Sequence, residues 1–328
     1  MILLMYMSKL RVGVLRGGPS DEYDVSLKTG ANILKHLALK YRVYDIYVDK
    51  KGVWHHEGLP ISPDMLFKRV DVVVNALHGF YGEDGKVQNI LDYHKVPYTG
   101  SQALSSSIGM NKKLSKGIFK DSGIKTPMHL SLNAHDINDQ KIREIFKSFP
   151  HPSIVKPVSS GSSVGVSVVY TIEELRQALL GALNFCDEII LEEFINGKEA
   201  SCGVIDDFRG QKTYALMPIE VKKPTSSRFF DYGSKYSSGL QGICPSNFTN
   251  QEKRTIQDFA VRAHEALGLR HYSRSDFIVS PRRGIYILET NTLPELTEES
   301  LLSKSLGAVG CSIPDFFDHV IALALDGK

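Results

Sequence analysis

Two segments in the C-terminal third bring together side chains that could bind a metal ion. Glu289 and Asn291 are two residues apart, so on a strand they point to the same face. Folding the chain about the turn Ser280-Pro-Arg-Arg-Gly284 places Asp276 opposite residue 288, beside Glu289 within register error. Two carboxylates and an amide oxygen suit Mg²⁺ shared with nucleotide phosphates rather than zinc. Arg274 should face the same cleft, and a solvated strand face is the alternative.

A loop rich in serine and glycine, Ser159-Ser-Gly-Ser-Ser-Val-Gly165, is a candidate for phosphate binding. Its glycines allow close backbone approach, and successive N–H groups can surround a phosphate. Lys156 precedes the loop on the incoming strand, whereas a P-loop has its lysine after the glycines at a helix start. The GxGxxG dinucleotide fingerprint is absent. A hairpin tip that binds no ligand is the alternative.

The elements that must position these residues fall into two patterns. From residue 11 to residue 100, strands and helices alternate, which predicts a small domain with a parallel sheet. Gly17-Gly18 and His78-Gly79 follow predicted strands, at the edge where such sheets bind ligands. After residue 101, antiparallel hairpins are predicted at 153–170 and 272–290. We therefore expect a mixed α/β fold of three lobes around a cleft, divided at 1–101, 102–190 and 191–328.

Composition excludes several classes of protein. The chain has 328 residues, 42% hydrophobic and 23% charged, which indicates a packed core rather than a disordered or collagen-like chain. A net charge of +2 argues against bulk binding of nucleic acid. The four cysteines are widely spaced, which argues against a zinc site and a disulfide framework. No signal peptide and no membrane-spanning segment are predicted, so a cytoplasmic protein is expected.

Seven stretches in the expected order resemble the D-alanine–D-alanine ligase family, which has the ATP-grasp fold. The resemblance covers nearly the whole chain. The matching stretches are Gly17-Gly-Pro-Ser-Asp-Glu-Tyr-Asp-Val-Ser26, Leu77-His-Gly-Phe-Tyr-Gly-Glu-Asp-Gly85, Pro97-Tyr-Thr-Gly-Ser101, Gly109-Met-Asn-Lys112, Ile154-Val-Lys-Pro157 with the Ser/Gly loop, Tyr232-Gly-Ser-Lys-Tyr236 and Glu289-Thr-Asn-Thr-Leu-Pro294. The resemblance implies an N-terminal α/β domain and two antiparallel-sheet lobes that enclose ATP.

The resemblance also implies a reaction. One D-alanine takes the γ-phosphate of ATP to give an acyl phosphate, and the amine of a second D-alanine displaces phosphate, giving a dipeptide for peptidoglycan. The implied metals are Mg²⁺ or Mn²⁺, as two ions bound by Asp276, Glu289 and Asn291. The residues implied to bind ATP are Lys112, Lys156, Ser163, Glu192, Glu193, Phe194, Ile195 and Glu199.

Substrate roles follow from the same resemblance. Glu22, Ser162, Tyr236 and Arg274 are implied as catalytic, and His78, Lys235, Ser300 and Leu301 as substrate-binding. A homodimer is implied, with no nucleic-acid or membrane partner. A related ligase with D-serine, D-lactate or another amino acid as second substrate is the first alternative. A degenerate ATP-binding module is the second.

One position departs from the family pattern. Family members usually continue Asn-Thr with Pro-Gly-Met-Thr, whereas this chain has Pro294-Glu-Leu-Thr297. If the family glycine needs a positive φ, glutamate in that conformation would cost ~1–2 kcal/mol. We therefore expect Glu295 to adopt a negative φ, with its side chain turned out of the site that stabilises the oxyanion.

Overall fold

The computed structural model describes residues 9–159, 161, 164–222 and 241–327. Its first lobe is built on a five-stranded sheet in the order β4-β3-β2-β1-β5. The strands are β1 (Arg11–Gly17), β2 (Arg42–Val48), β3 (Trp54–His56), β4 (Leu59–Pro60) and β5 (Val72–Asn75). β1 pairs in parallel with β2 and β5, as predicted, but β3 and β4 add an antiparallel edge. The expectation of a purely parallel sheet is therefore wrong at this edge, where the strands are too short to show a pattern.

Three helices complete the first lobe and aim its loops at the cleft. They are α1 (Tyr23–Leu37), α2 (Pro63–Phe67) and α3 (Lys86–Tyr93). The turn from β1 to α1 requires glycine at position 17, where φ is +93° and a Cβ would lie 2.3 Å from the Val48 carbonyl oxygen. This turn sets Glu22 at the N-terminus of α1.

The second lobe is a four-stranded antiparallel sheet in the order β6-β9-β7-β8. Its strands are β6 (His129–Asn133), β7 (Ser153–Pro157), β8 (Ser167–Val169) and β9 (Glu188–Glu193). Helices α6 (Asp139–Ser148) and α7 (Ile172–Ala182) accompany it. The predicted hairpin on either side of the Ser/Gly loop is confirmed, since Ser153 pairs with Val169 and Val155 with Ser167.

The third lobe is an antiparallel sheet in the order β13-β12-β10-β14-β15, with β11 paired to β10. Its strands are β10 (Lys198–Phe208), β11 (Gln211–Ala215), β12 (Ile219–Lys222), β13 (Gln241–Ile243), β14 (Tyr272–Ser280) and β15 (Gly284–Asn291). Helices α4 (Ala103–Met110), α5 (Lys112–Asp121) and α8 (Asn250–Ala266) pack here. Phe119 of α5 shares one core with Ile256, Phe277 and Ile287. The N-terminal end of α5 therefore lies beside the strands that hold the acidic residues.

The C-terminal helices join the third lobe to the first. They are α9 (Leu301–Ala308) and α10 (Ile313–Leu325). Leu306, Phe316 and Val320 share a core with Val14 and Ile33 of the first lobe. This packing fixes Ser300, the N-cap residue of α9, in the cleft between the lobes.

Among the described residues, no single helix is long and apolar enough to cross a bilayer, and only the pair α9 and α10, bent by 99°, meets the criteria when taken together.

Candidate active site

The acidic residues predicted to bind metal lie on adjacent strands. Asp276 of β14 is paired with Glu289 of β15, and Arg274 with Asn291. Nearer the turn, Phe277 pairs with Ile287, so a bulge at Leu288 shifts the register by one residue. Symmetric folding about residue 282 would place Leu288 opposite Asp276, and the bulge places Glu289 there instead. The two carboxylates and the Asn291 amide thus share one end of the sheet.

Asp276 is held by three neighbours. Arg274 donates to it from Nε at 3.1 Å and from Nη2 at 2.9 Å, and the Ser201 hydroxyl donates at 2.7 Å. Asn291 Nδ2 donates to Oδ2 at 3.2 Å. Burial alone would lower the pKa of Arg274, but the carboxylates of Asp276, Glu289 and Glu295 outweigh it and raise that pKa. Arg274 is therefore a fixed positive charge at this point of the cleft.

Two buried lysines approach the acidic residues from other elements. Lys112 begins α5 and lies 3.6 Å from Glu289 Oε2, and Lys156 on β7 lies 2.9 Å from Glu192 Oε2. Burial alone would lower the pKa of Lys156, but the charges of Glu192 and Glu289 outweigh it and raise that pKa. Lys156 therefore stays charged at neutral pH, and the positions of both lysines are suited to bind phosphate.

A third lysine, Lys116, was missed by the sequence reasoning. Its side chain is fully buried and its Nζ lies 3.0 Å from Glu192 Oε1. Burial alone would raise the pKa of Glu192, but Lys116 and Lys156 outweigh it and lower that pKa to about 2. Lys116 is four residues after Lys112 on α5, so the helical period was the available signal, because it places both on one face.

The first cavity of the cleft lies between the second and third lobes. The predicted residues Glu192, Glu193, Phe194, Ile195 and Glu199 all line it, together with Lys112, Lys156, Ile154, Pro157 and Leu288. The Glu192 carboxylate faces the two lysines, and that of Glu193 accepts from Arg283 Nη1 at 2.8 Å and from the Met128 N–H at 3.0 Å. These two carboxylates are therefore occupied by protein partners.

The second cavity lies between the first and third lobes. It is lined by Glu22, His78, Glu83, Gly161, Asn291, Glu295, Ser300 and Lys304. It meets the first cavity at four residues that line both, namely Lys112, Arg274, Glu289 and Leu301. A nucleotide in one cavity and a small polar molecule in the other would thus meet at these side chains.

His78 is buried at the first-lobe end of the second cavity. Its Nε2 lies 3.0 Å from the Thr29 hydroxyl, and its Nδ1 lies 3.9 Å from Glu83 Oε1. Burial alone would lower the pKa of His78, but Glu83, Glu22 and Glu295 outweigh it and raise that pKa. Donor atoms of Glu22, His78 and Glu83 lie within 4.8 Å of one another. Glu83 was missed, although it lies five residues after His78 in the same motif.

Ser300 and Glu295 also line the second cavity. Ser300 caps α9, and its hydroxyl accepts from the Ser303 N–H at 3.3 Å. Glu295 is not among the described residues with positive φ, as expected. Its carboxylate accepts from the Thr297 hydroxyl at 2.8 Å, and the residue lines the cavity with Arg274. Thr297 therefore holds the Glu295 carboxylate at the cavity wall. The expectation that this side chain is turned out of the site that stabilises the oxyanion stays a prediction.

Four predicted residues lie outside the described residues, namely Ser162, Ser163, Lys235 and Tyr236. Between the loop serines, Gly161 is described and approaches α1. A Cβ at Gly161 would lie 2.3 Å from Glu22 Oε1. Gly161 thus lies beside the first lobe.

A family model described as D-ala D-ala ligase C-terminus matches residues 118–322, and one described as D-ala D-ala ligase N-terminus matches 11–64 and 56–101. The D-alanine–D-alanine ligase of Carboxydothermus hydrogenoformans is 32% identical over 324 residues, covering 97% of this chain and 99% of the relative. That of Geobacter sulfurreducens is 36% identical over 317 residues, covering 96% and 94%.

Solved structures of ligases are similar to this chain over nearly its whole length. The VanG D-Ala:D-Ser ligase from Enterococcus faecalis superposes with a TM-score of 0.85 at 28% identity, covering 97% of this chain and 100% of the other. The D-alanine–D-alanine ligase from Coxiella burnetii gives 0.83 at 27% identity, covering 98% and 95%.

Proposed function

The chain belongs to the D-alanine–D-alanine ligase family, and from that premise we propose how its residues join two D-alanines to D-alanyl-D-alanine in an ATP-dependent reaction. The supporting observation is the junction of the two cavities at Lys112, Arg274 and Glu289. A γ-phosphate and a D-alanine carboxylate would meet there, shielded by the walls of three lobes. The acyl phosphate would therefore form at this junction.

In the first step, a carboxylate oxygen of the first D-alanine attacks the γ-phosphorus, and the bond to the bridging oxygen of ADP breaks. Lys112 and Lys156 would neutralise the phosphates, and the Ser159–Gly165 loop with Ser163 would cover them. Adenine would bind along Glu192–Ile195. Because the carboxylates of Glu192 and Glu193 are already bound by protein partners, adenine would contact backbone groups there. Glu199 would bind the ribose.

Asp276, Glu289 and Asn291 would hold Mg²⁺ or Mn²⁺, as two ions. Their donor atoms are all oxygen, and the β14–β15 register brings the residues together, which fits a hard divalent cation. When bound, the metal would offset charge that develops during phosphoryl transfer. Arg274 and Ser201 fix the Asp276 carboxylate in advance, which limits its reorganisation on binding.

In the second step, the amine of the second D-alanine attacks the carbonyl carbon of the acyl phosphate. Phosphate leaves and the amine loses a proton. Arg274, already a fixed charge, would stabilise the oxyanion of the tetrahedral intermediate. Ser300, Leu301 and Lys235 would hold the second substrate, with Ser300 and Lys235 on its carboxylate.

The first D-alanine would bind at the other end of the cavity. Its ammonium would pair with Glu22, and His78 would lie beside its carboxylate. Glu22, Ser162 and Tyr236 would form a hydrogen-bonded network that positions the two loops. The elevated pKa of His78 favours its protonated form, which suits a residue next to a carboxylate and an acyl phosphate.

The remaining proposals concern the whole protein. We propose a cytoplasmic homodimer without nucleic-acid or membrane partners, and domains at 1–101, 102–190 and 191–328.

Phosphate release from ATP and Mg²⁺ tests the proposed function. Purified protein is incubated with D-alanine, D-serine, D-lactate or L-alanine, singly and in pairs with D-alanine, and products are identified by mass. We expect release with D-alanine alone and D-alanyl-D-alanine as product. Phosphate release with L-alanine and none with D-alanine would contradict the proposal. A mixed product with D-serine or D-lactate, formed in preference to D-alanyl-D-alanine, would identify that compound as the second substrate instead.

A further inference from the structure

Lys116 has no role in the reaction described above, yet it is a fully buried cation beside both candidate phosphate and metal residues. Three oxygen atoms surround its Nζ. They are Glu192 Oε1 at 3.0 Å, the Leu288 carbonyl oxygen at 3.0 Å and the Thr126 hydroxyl oxygen at 3.1 Å. Burial lowers the pKa of Lys116, and the Glu192 carboxylate opposes this. An ammonium group has three N–H donors and no acceptor, so the three surrounding oxygens match a charged lysine.

The first consequence of this arrangement concerns charge. Glu192 is buried and shared by Lys116 and Lys156, at 3.0 Å and 2.9 Å. One carboxylate between two ammonium groups leaves the cluster with one net positive charge. Without Lys116, Glu192 would neutralise Lys156 alone, and no net charge would remain for a phosphate in the first cavity. Charges interact strongly in a buried site, so this difference of one net charge should change the affinity for a phosphate in the first cavity.

The second consequence concerns geometry. Leu288 is the extra residue of the bulge that places Glu289 opposite Asp276. Its carbonyl accepts from Lys116, and the preceding carbonyl, that of Ile287, accepts from the Thr126 hydroxyl at 3.0 Å. A bulge leaves ladder groups without their usual partners. Lys116 and Thr126 satisfy the two carbonyls at the bulge and so hold its shape.

We propose that Lys116 is a positioning residue for nucleotide and metal binding: it frees the charge of Lys156 by neutralising Glu192, and it holds the Leu288 bulge that aligns Glu289 with Asp276. The proposal deepens the proposed function and depends on ATP being the ligand of the first cavity. Lys116 itself need not touch the nucleotide.

The test is calorimetric binding of a non-hydrolysable ATP analogue to Lys116→Met, with and without Mg²⁺. Methionine keeps the length of the side chain and removes its charge. We expect Mg²⁺-free affinity to fall by ~10-fold, the order expected when one net positive charge is lost from a buried phosphate site. Lys116→Met/Glu192→Gln restores one net positive charge and should regain most of this loss. The matched control is Lys113→Met, a lysine on the same helix as Lys116. This change breaks an exposed ion pair with Glu188 and should leave the affinity for the analogue unchanged.

The dependence of affinity on Mg²⁺ distinguishes the effect of charge from the effect on the geometry of the bulge. The gain in affinity that Mg²⁺ produces in the wild type should shrink in Lys116→Met and stay small in the double variant, because the bulge contact is absent from both. Thr126→Val removes one bulge contact with every charge intact, so it should shrink the Mg²⁺ gain and spare Mg²⁺-free binding. This variant also keeps the test open if Lys116→Met does not fold.

Several results would overturn the proposal. Unchanged affinity in Lys116→Met, or a loss that the double variant does not recover, would mean that Lys116 serves packing alone. An unchanged Mg²⁺ gain in Thr126→Val would remove the role of the bulge. Failure of the proposed function is distinguishable, because wild-type protein would then show no turnover with D-alanine whatever the variants bind.

Discussion

Glu289 is the residue at which the candidate phosphate, metal and substrate groups converge. It faces Asp276 across two strands, lies 3.6 Å from Lys112 and lines both cavities. Its neighbours are fixed before any ligand arrives, since Asp276 is bonded by Arg274, Ser201 and Asn291. Preorganised charge of this kind supplies a large part of phosphoryl-transfer catalysis.

Glu289→Gln should therefore lower turnover by ~10²-fold or more, because it removes charge where the metal and phosphates meet. Steady-state phosphate release with D-alanine measures this. The control Glu265→Gln alters an exposed carboxylate on α8, bonded to Thr213, and should retain wild-type turnover. Turnover near the wild-type value in Glu289→Gln would exclude the residue from the mechanism.

Glu192 makes the free energy of unfolding depend on pH in the acidic range. Its pKa is lowered to about 2 from the ordinary 4.5, so its ionised form stabilises the fold fully above the unfolded pKa. That contribution disappears as pH falls toward 2. The difference in free energy of unfolding between wild type and Glu192→Gln should be constant above about pH 5 and shrink below it. Urea unfolding at a series of pH values measures this, and a difference that grows on acidification would contradict it.

At the scale of elements, the site depends on close approaches between lobes. Gly161, between β7 and β8, lies near enough to α1 that a Cβ at this position would overlap the Glu22 carboxylate. A carboxylate is the movable end of a side chain, so the strain would displace Glu22 rather than unfold the lobe. Glycine at position 161 therefore matters more for the position of the Glu22 carboxylate than for the stability of the fold.

Gly161→Ala should raise the KM for D-alanine at the first subsite several-fold and leave the melting temperature unchanged. Kinetics at varied D-alanine and a thermal melt measure both. Gly181→Ala is the matched control, since that glycine lies in the same lobe with open space around its Cβ position. An unchanged KM in Gly161→Ala would mean that Glu22 does not bind the first substrate.

Elements with a strong local pattern were predictable. The helix at 139–148 begins at such a signal, because its Asn138 cap accepts from the Lys141 N–H. By contrast, α4 (103–110) contains three serines and a glycine, which favour other conformations in isolation. It is held by packing on β15 and on the residue that follows this strand, since a Cβ at Gly109 would lie 2.7 Å from Thr292 Cγ2. Tertiary contact of this kind leaves no trace in the local pattern.

The candidate site divides in the same way. Asp276, Glu289 and Asn291 could be placed together because strand period and turn position are local properties. The bulge at Leu288 could not, since it depends on Lys116, 172 residues away in sequence. Glu295 shows both cases, because its negative φ followed from residue type, whereas its position at the cavity wall depends on Thr297.

At the scale of the whole molecule, each ligand would bridge lobes. The first cavity is walled by the second and third lobes, and the second cavity joins the third to the first. Ligands that bind only the folded state stabilise it by mass action. A ligand that contacts two lobes should also reduce their independent motion, so a second ligand meets a more ordered cleft.

We therefore expect an ATP analogue with Mg²⁺, at about 100 times its dissociation constant, to stabilise the protein by about 2.7 kcal/mol. For a chain of this size the melting temperature should rise by ~5 °C. D-alanine added with the analogue should raise it by more than the two separate shifts combined. Chelation of Mg²⁺ should remove most of the nucleotide effect, and Glu289→Gln should show little Mg²⁺ dependence because its metal carboxylate is absent. Strictly additive shifts would mean that the two cavities are filled independently and that the cleft is already closed without ligand.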